Sequence, residues 1–200
     1  SDIRLELARE YSIAALGSEW LVFLDVAPET ALSAETPASL PGRSGAAVAP
    51  RRLALQDGVI DLAALATGTV SEKQAAVLIN EFTCESPGAL ALGFAADWWM
   101  EIVLNGQPVY STLDKGNRSG GFTPDDHPVT LNVDSGRNVL AVKVLAGSKG
   151  WRFVCGVPKP PIKYVANEEW LPVSMSDLVV KADTALDLSA QVAAPAGTLG

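Results

Sequence analysis

The sequence predicts an all-β protein, an antiparallel β-sandwich, and three observations carry that expectation. Short apolar runs with two-residue alternation recur along the chain, turn sequences built on Gly, Pro and Asn separate them, and no long amphipathic helical pattern interrupts them. Length agrees, because 200 residues of which 48% are hydrophobic and 19% charged can bury a full core without cross-links.

In chain order, residues 3–7 alternate apolar and polar side chains and read as a strand, and 20–26 form a second apolar run. Residues 28–50, rich in Ala, Ser, Pro and Gly, read as a long loop, and 59–65 as either a helical turn or a short strand. Runs 75–85 and 89–104 are strands separated by Ser86-Pro87-Gly88, where Pro presets φ and Gly accepts a positive one. Asn105-Gly106 marks a tight hairpin turn from which 107–110 returns. Residues 129–133, the turn Asp134-Ser135-Gly136 and residues 138–145 make a further strand, turn, strand unit, and 151–157 closes the series.

Alternation then assigns faces. Trp98, Met100, Ile102 and Leu104 share one side and are expected in the core, while Trp99, Glu101 and Val103 share the other. In 138–145 the Lys-free row Leu140, Val142 and Val144 is expected inward, and Val139, Ala141, Lys143 and Leu145 outward. Asn138, following Gly136 at a strand start, is expected to tie down backbone groups.

The sandwich module is assigned to residues 1–157. Pro158-Lys159-Pro160-Pro161 then makes a stiff linker that cannot join a central strand, and 158–200 is expected to pack on the sandwich or to start a following module. The chain opens on Ser1-Asp2 without a signal peptide and runs out at Gly200 in the manner of a piece of a longer polypeptide.

With 15 basic against 23 acidic residues the net charge is −8, which argues against a nucleic-acid partner and suits a neutral or cationic ligand. No apolar run reaches the roughly 20 residues of a membrane span. Cys84 and Cys155 both lie in apolar strand-like runs and read as two core thiols; a bridge between them would contribute ~4 kcal/mol on a loop-entropy argument.

The segment from Asn105-Gly106-Gln107-Pro108-Val109 through Gly120-Gly121-Phe122-Thr123-Pro124 to Gly136-Arg137-Asn138-Val139-Leu140 resembles the sugar-binding β-sandwich domain of family 2 glycoside hydrolases such as β-galactosidases and β-glucuronidases. Ala96-Asp97-Trp98-Trp99-Met100-Glu101, with Gly147-Ser148-Lys149-Gly150-Trp151, looks still more like accessory jelly-roll modules of bacterial polysaccharide-degrading proteins. The resemblance covers residues 75–157 and implies a galactose-binding-like jelly roll with a scaffold or binding role. In those enzymes the catalytic carboxylates sit on a separate barrel that nothing here matches.

Chemistry is weakly signalled. Glycoside hydrolysis needs paired carboxyls ~5–9.5 Å apart in a cleft, and Asp97, Glu101, Asp114, Asp125 and Asp126 supply carboxyls without a spacing that places them. Asp125-Asp126 beside His127, the sole histidine, could hold a metal or an acid/base pair, or simply form a solvated loop. Calcium could be held by Asp and backbone oxygens of the 114–126 loop, although no EF-hand spacing occurs.

Sugar binding asks for an exposed aromatic ring and polar groups beside it. Trp99, Trp151 and Tyr110 are the candidate platforms, and Asn117, Arg118, Asp126 and His127 the candidate polar contacts. Trp20 and Trp170 could instead cover the outer face. The resulting expectation is a non-catalytic carbohydrate-binding module, secreted or in a bacterial cell envelope, with a glycan and a neighbouring catalytic domain as partners. A purely structural spacer and a hydrolase or lyase are the alternatives.

Overall fold

The computed structural model describes residues 16–118, 121–148 and 150–159, together with the backbone of 180–181 and 185–186. The chain divides into two units, one of residues 9–159 and one of 1–8 with 160–200. In the second, β13 (Val180–Lys181) pairs with β14 (Ala185–Leu186). The expected strand at 3–7 and the stretch around Trp170 lie outside the described residues.

The first unit is an antiparallel β-sandwich. Among the described residues its strands are β1 (Glu19–Val26), β2 (Leu40–Pro41), β3 (Ala47–Val48), β4 (Arg51–Ala54), β5 (Val59–Asp61), β6 (Ala75–Cys84), β7 (Gly88–Ala96), β8 (Trp98–Leu104), β9 (Gln107–Ser111), β10 (His127–Val133), β11 (Gly136–Ala146) and β12 (Arg152–Gly156), with a helical turn, α1 (Leu62–Leu65). A six-stranded sheet runs β4-β1-β6-β11-β8-β9 and a four-stranded sheet runs β10-β7-β12-β5. The segment 59–65 holds both of its expected alternatives, a short strand and then a helical turn capped by the Asp61 side chain on the Ala64 amide.

Between the sheets Trp20, Leu78, Phe94, Met100, Ile102, Leu131, Val142, Trp151 and Phe153 are buried in one apolar cluster. Trp20 meets Phe153 edge-on at 5.2 Å. The Lys-free row Leu140, Val142 and Val144 faces this core as expected. The opposite row is buried too. Val139 and Ala141 join Phe23, Val26, Val77 and Ile79 in a second cluster, on which Leu32, Leu40 and Val48 of residues 27–48 pack. Lys143 survives there because its ammonium pairs with Glu101 at 3.0 Å and donates to the Thr30 carbonyl at 3.1 Å.

The run 89–104 is two strands rather than one. It breaks at Asp97, and β7 and β8 lie in different sheets. Ser86-Pro87-Gly88 and Asp134-Ser135-Gly136 likewise carry the chain from one sheet to the other instead of closing hairpins. Asn105 and Gly106, at φ 50° and 78°, do close the β8–β9 hairpin. Pro108 lies in β9 and Pro128 in β10, each an edge strand of its sheet.

Asn138, fully buried, has the backbone-tying role expected of it. Its amide donates to the carbonyls of Asp134 and Gly136, and its Oδ1 accepts from the Asp134 N–H and from the Asn105 side chain. Asn105 Oδ1 in turn accepts from the Val139 N–H at 2.8 Å. Cys84 and Cys155 are unbridged and buried, and burial pushes the Cys155 thiol up to about 12.

Replacing Asn138 by Ala strands several buried backbone groups and is expected to lower the unfolding free energy by about 3 kcal/mol. A urea titration should show the midpoint falling while the slope stays constant.

Candidate functional site

The loop after β9 folds over the end of the sandwich where β8 begins. Thr112 anchors it, with its hydroxyl accepting from the Met100 N–H at 2.9 Å and its own N–H donating to the Met100 carbonyl at 2.8 Å. Gly116, at φ 70°, then passes so close to the Trp98 indole that a Cβ would overlap the ring nitrogen. Asn117 follows, and its N–H donates to the Trp98 carbonyl at 2.8 Å.

Asn117 is buried and links two groups of residues. Its Oδ1 accepts from His127 Nε2 at 2.6 Å, and its amide donates to Asp126 at 3.4 Å. Tyr110 donates its hydroxyl proton to His127 Nδ1 at 2.8 Å. This assignment requires the Nε2-protonated neutral tautomer. Burial holds His127 below the usual histidine range, against opposing pulls from the Asp126 charge and the Asn117 hydrogen bond.

Four of the expected site residues, Tyr110, Asn117, Asp126 and His127, therefore meet in one network. Arg118 is beside it but exposed, its guanidinium turned back to the Lys115 carbonyl. Trp99 is elsewhere. It lies on the outer face of the six-stranded sheet under the Lys73 ammonium, 5.6 Å from the ring centroid, whereas Tyr110 packs on the inter-sheet core. Trp151 corrects the expectation of a stacking platform. The ring is fully buried and its N–H donates to the Val144 carbonyl at 3.3 Å, because flanking glycine marks a loop end without saying where the ring points. Among the described residues no three His, Cys, Asp or Glu side chains gather into a group that could hold a metal.

Residues not predicted as binding groups stand at the same corner, among them Asp97, read from sequence only as a candidate acid. Trp98, expected in the core, is half-buried and outside the inter-sheet cluster, although its rung partner Ala146 belongs to it. Asp97, at the break between β7 and β8, is 5% exposed, and among the described residues no hydrogen-bond donor reaches its carboxylate. Burial raises its pKa, with Arg152 pulling the other way. Gly147 and Gly150 border its two oxygens. A Cβ on Gly147 would stand 2.9 Å from Oδ1, and one on Gly150 would overlap Oδ2. Half-buried Phe122 lies under the exposed Arg152 guanidinium at 4.3 Å. The sequence signals were the Asp97-Trp98 pair inside an otherwise apolar run and the glycines Gly147 and Gly150.

No protein-family model matches the chain, and no characterised protein matches it by sequence. Among solved structures it is similar to a β-glucosidase from Kluyveromyces marxianus, at 14% identity and a TM-score of 0.44, over 76% of this chain and 17% of that one. The same enzyme in complex with glucose gives 14% and 0.45, over 75% and 16%. A GH31 α-xylosidase from Xanthomonas citri gives 11% and 0.40, over 72% and 14%. The chain thus spans less than a fifth of the length of each of these structures. Among the described residues no helix is long and apolar enough to cross a membrane.

The depressed His127 pKa has a consequence for stability. As pH falls through about 6.5, the unfolded chain takes up a proton that the folded chain refuses, so folding weakens. Asp97, with its raised pKa, works in the opposite sense at lower pH. Urea midpoints at pH 8 and pH 5.5 should therefore fall further with acid in the wild type than in His127→Gln, and equal falls would exclude His127 as the cause.

Proposed function

We propose that this chain is a non-catalytic carbohydrate-binding module of a larger carbohydrate-active protein, gripping sugar at the corner formed by Asp97, Trp98, Phe122 and Arg152. The observation that carries the reading is Asp97, a largely buried residue whose carboxylate meets no protein donor among the described residues and keeps contact with solvent, placed directly before a half-buried tryptophan. Its oxygens, open to solvent and unclaimed by the described residues, can accept a ligand's hydroxyl protons.

A pyranose ring suits that arrangement, since its C–H face needs apolar area and its rim offers donors. Trp98 supplies the area and Gly116 lets the loop close beneath it. Arg152 supplies donors for ring or hydroxyl oxygens and offsets the Asp97 charge, so the corner favours a neutral sugar. The Tyr110–His127–Asn117 network is the internal brace of this corner, since its own donors and acceptors already face one another.

The test is a glycan array with affinity gels, run on the chain, on Trp98→Ala and on Asp97→Asn. Binding is expected in the wild type and at least tenfold weaker in Trp98→Ala, about 1.4 kcal/mol. Affinity should also fall with acidification, with a midpoint above the ordinary aspartate range, because hydroxyls donate to the ionised carboxylate. Absence of binding to every glycan would favour a structural spacer, and full retention in both variants would move the site away from this corner.

A further inference from the structure

The end of the six-stranded sheet that carries Trp98 carries a second polar hollow. The register fixes this position: Val26 and Leu145 both pair with Ala75, and the next residue of β11, Ala146, pairs with Trp98. From β1 to β8 is three strand spacings, about 14 Å at ~4.8 Å each.

The hollow forms where β1 and β6 slip between Leu24 and Val26. Asp25 is the extra residue, held at φ 59°. The bulge returns Val26 to the face occupied by Phe23 and leaves Asp25 exposed. Bulges re-aim side chains, and a non-glycine residue at positive φ is maintained at an energetic cost. Asp25 opens on a cavity of about 190 Å³ whose apolar floor is Val22, Leu24 and Leu65 and whose polar rim includes Arg51 and Gln74. The Arg51 guanidinium is braced on the Leu65 carbonyl at 3.0 Å. Among the described residues no ion pair or hydrogen bond engages the Asp25 carboxylate.

We propose that this hollow is a second sugar subsite on the same rim as Trp98, so that the ligand is an extended polysaccharide chain held at two points. The inference rests on the glycan-binding reading and adds the class of glycan to it. The apolar floor meets a ring's C–H face, the carboxylate accepts hydroxyl protons, and guanidinium and amide donate to hydroxyl oxygens. A ligand seated at Trp98 presents its next units to Asp25 at high effective concentration.

Calorimetric titration with di- to hexasaccharides of β-1,4-glucan, β-1,4-xylan and α-1,4-glucan tests this on the wild type, Asp25→Gly and Arg51→Gln. Glycine suits the positive φ, so Asp25→Gly removes the carboxylate without straining the bulge. The hexasaccharide of the recognised series should bind about a hundredfold more tightly than the disaccharide. Asp25→Gly should abolish that length dependence while leaving disaccharide affinity unchanged. Equal affinities for short and long oligomers in the wild type, or length dependence intact in both variants, would overturn the two-point site while leaving the Trp98 reading standing. No binding by any oligomer would overturn both.

Discussion

A sandwich whose consecutive strands change sheet must satisfy the backbone at every crossing without the help of a ladder, and this constraint shapes the molecule. The chain passes between the two sheets after β4, β5, β6, β7, β9, β10 and β11, and the passages after β6, β7 and β10 are the shortest. At the β10–β11 crossing Asn138 and Asn105 meet the demand with side-chain amides, and nothing polar is left over. At the β7–β8 crossing the backbone closes on itself, with the Asp97 N–H on the Arg152 carbonyl and the Gly147 N–H on the Asp97 carbonyl. The Asp97 side chain is then surplus to the fold. The two crossings have the same topology and opposite chemistry, and that contrast separates brace from site.

The strands were legible because alternation and turn chemistry are local properties. Residues 20–26, the Asn105-Gly106 hairpin and the inward row of β11 could all be read from neighbours within a few positions. The sheet changes could not. Ser86-Pro87-Gly88 has the same composition whether it closes a hairpin or spans two sheets, and the choice is made by packing between distant strands. Trp98 shows the limit most sharply. Its parity matches Met100 and Ile102, but parity does not reveal that the ring packs against Gly116 of the 112–117 loop and stays outside the inter-sheet cluster.

The candidate site was legible in its polar half. Asn117, Asp126 and His127, expected as polar contacts, meet in one network with Tyr110, expected as a stacking platform, and they face one another more than solvent. Of the aromatic candidates, Trp151 is contradicted by its burial. Trp151 and Trp98 exchanged roles, one entering the core and the other its edge. The bulge at Asp25 left no sequence mark, because Leu-Asp-Val within an apolar run reads as ordinary alternation. Covering of the six-stranded sheet by residues 27–48 was equally hidden, since a loop rich in Ala and Pro gives no sign of the face it lies on.

The edge strands β9 and β10 each carry a proline, Pro108 and Pro128. Proline offers no N–H to a newcomer and resists the flat geometry that strand addition requires. At high protein concentration this unit is guarded on those two flanks against fusing with another sheet edge into a continuous sheet. It can then work as a separate bead.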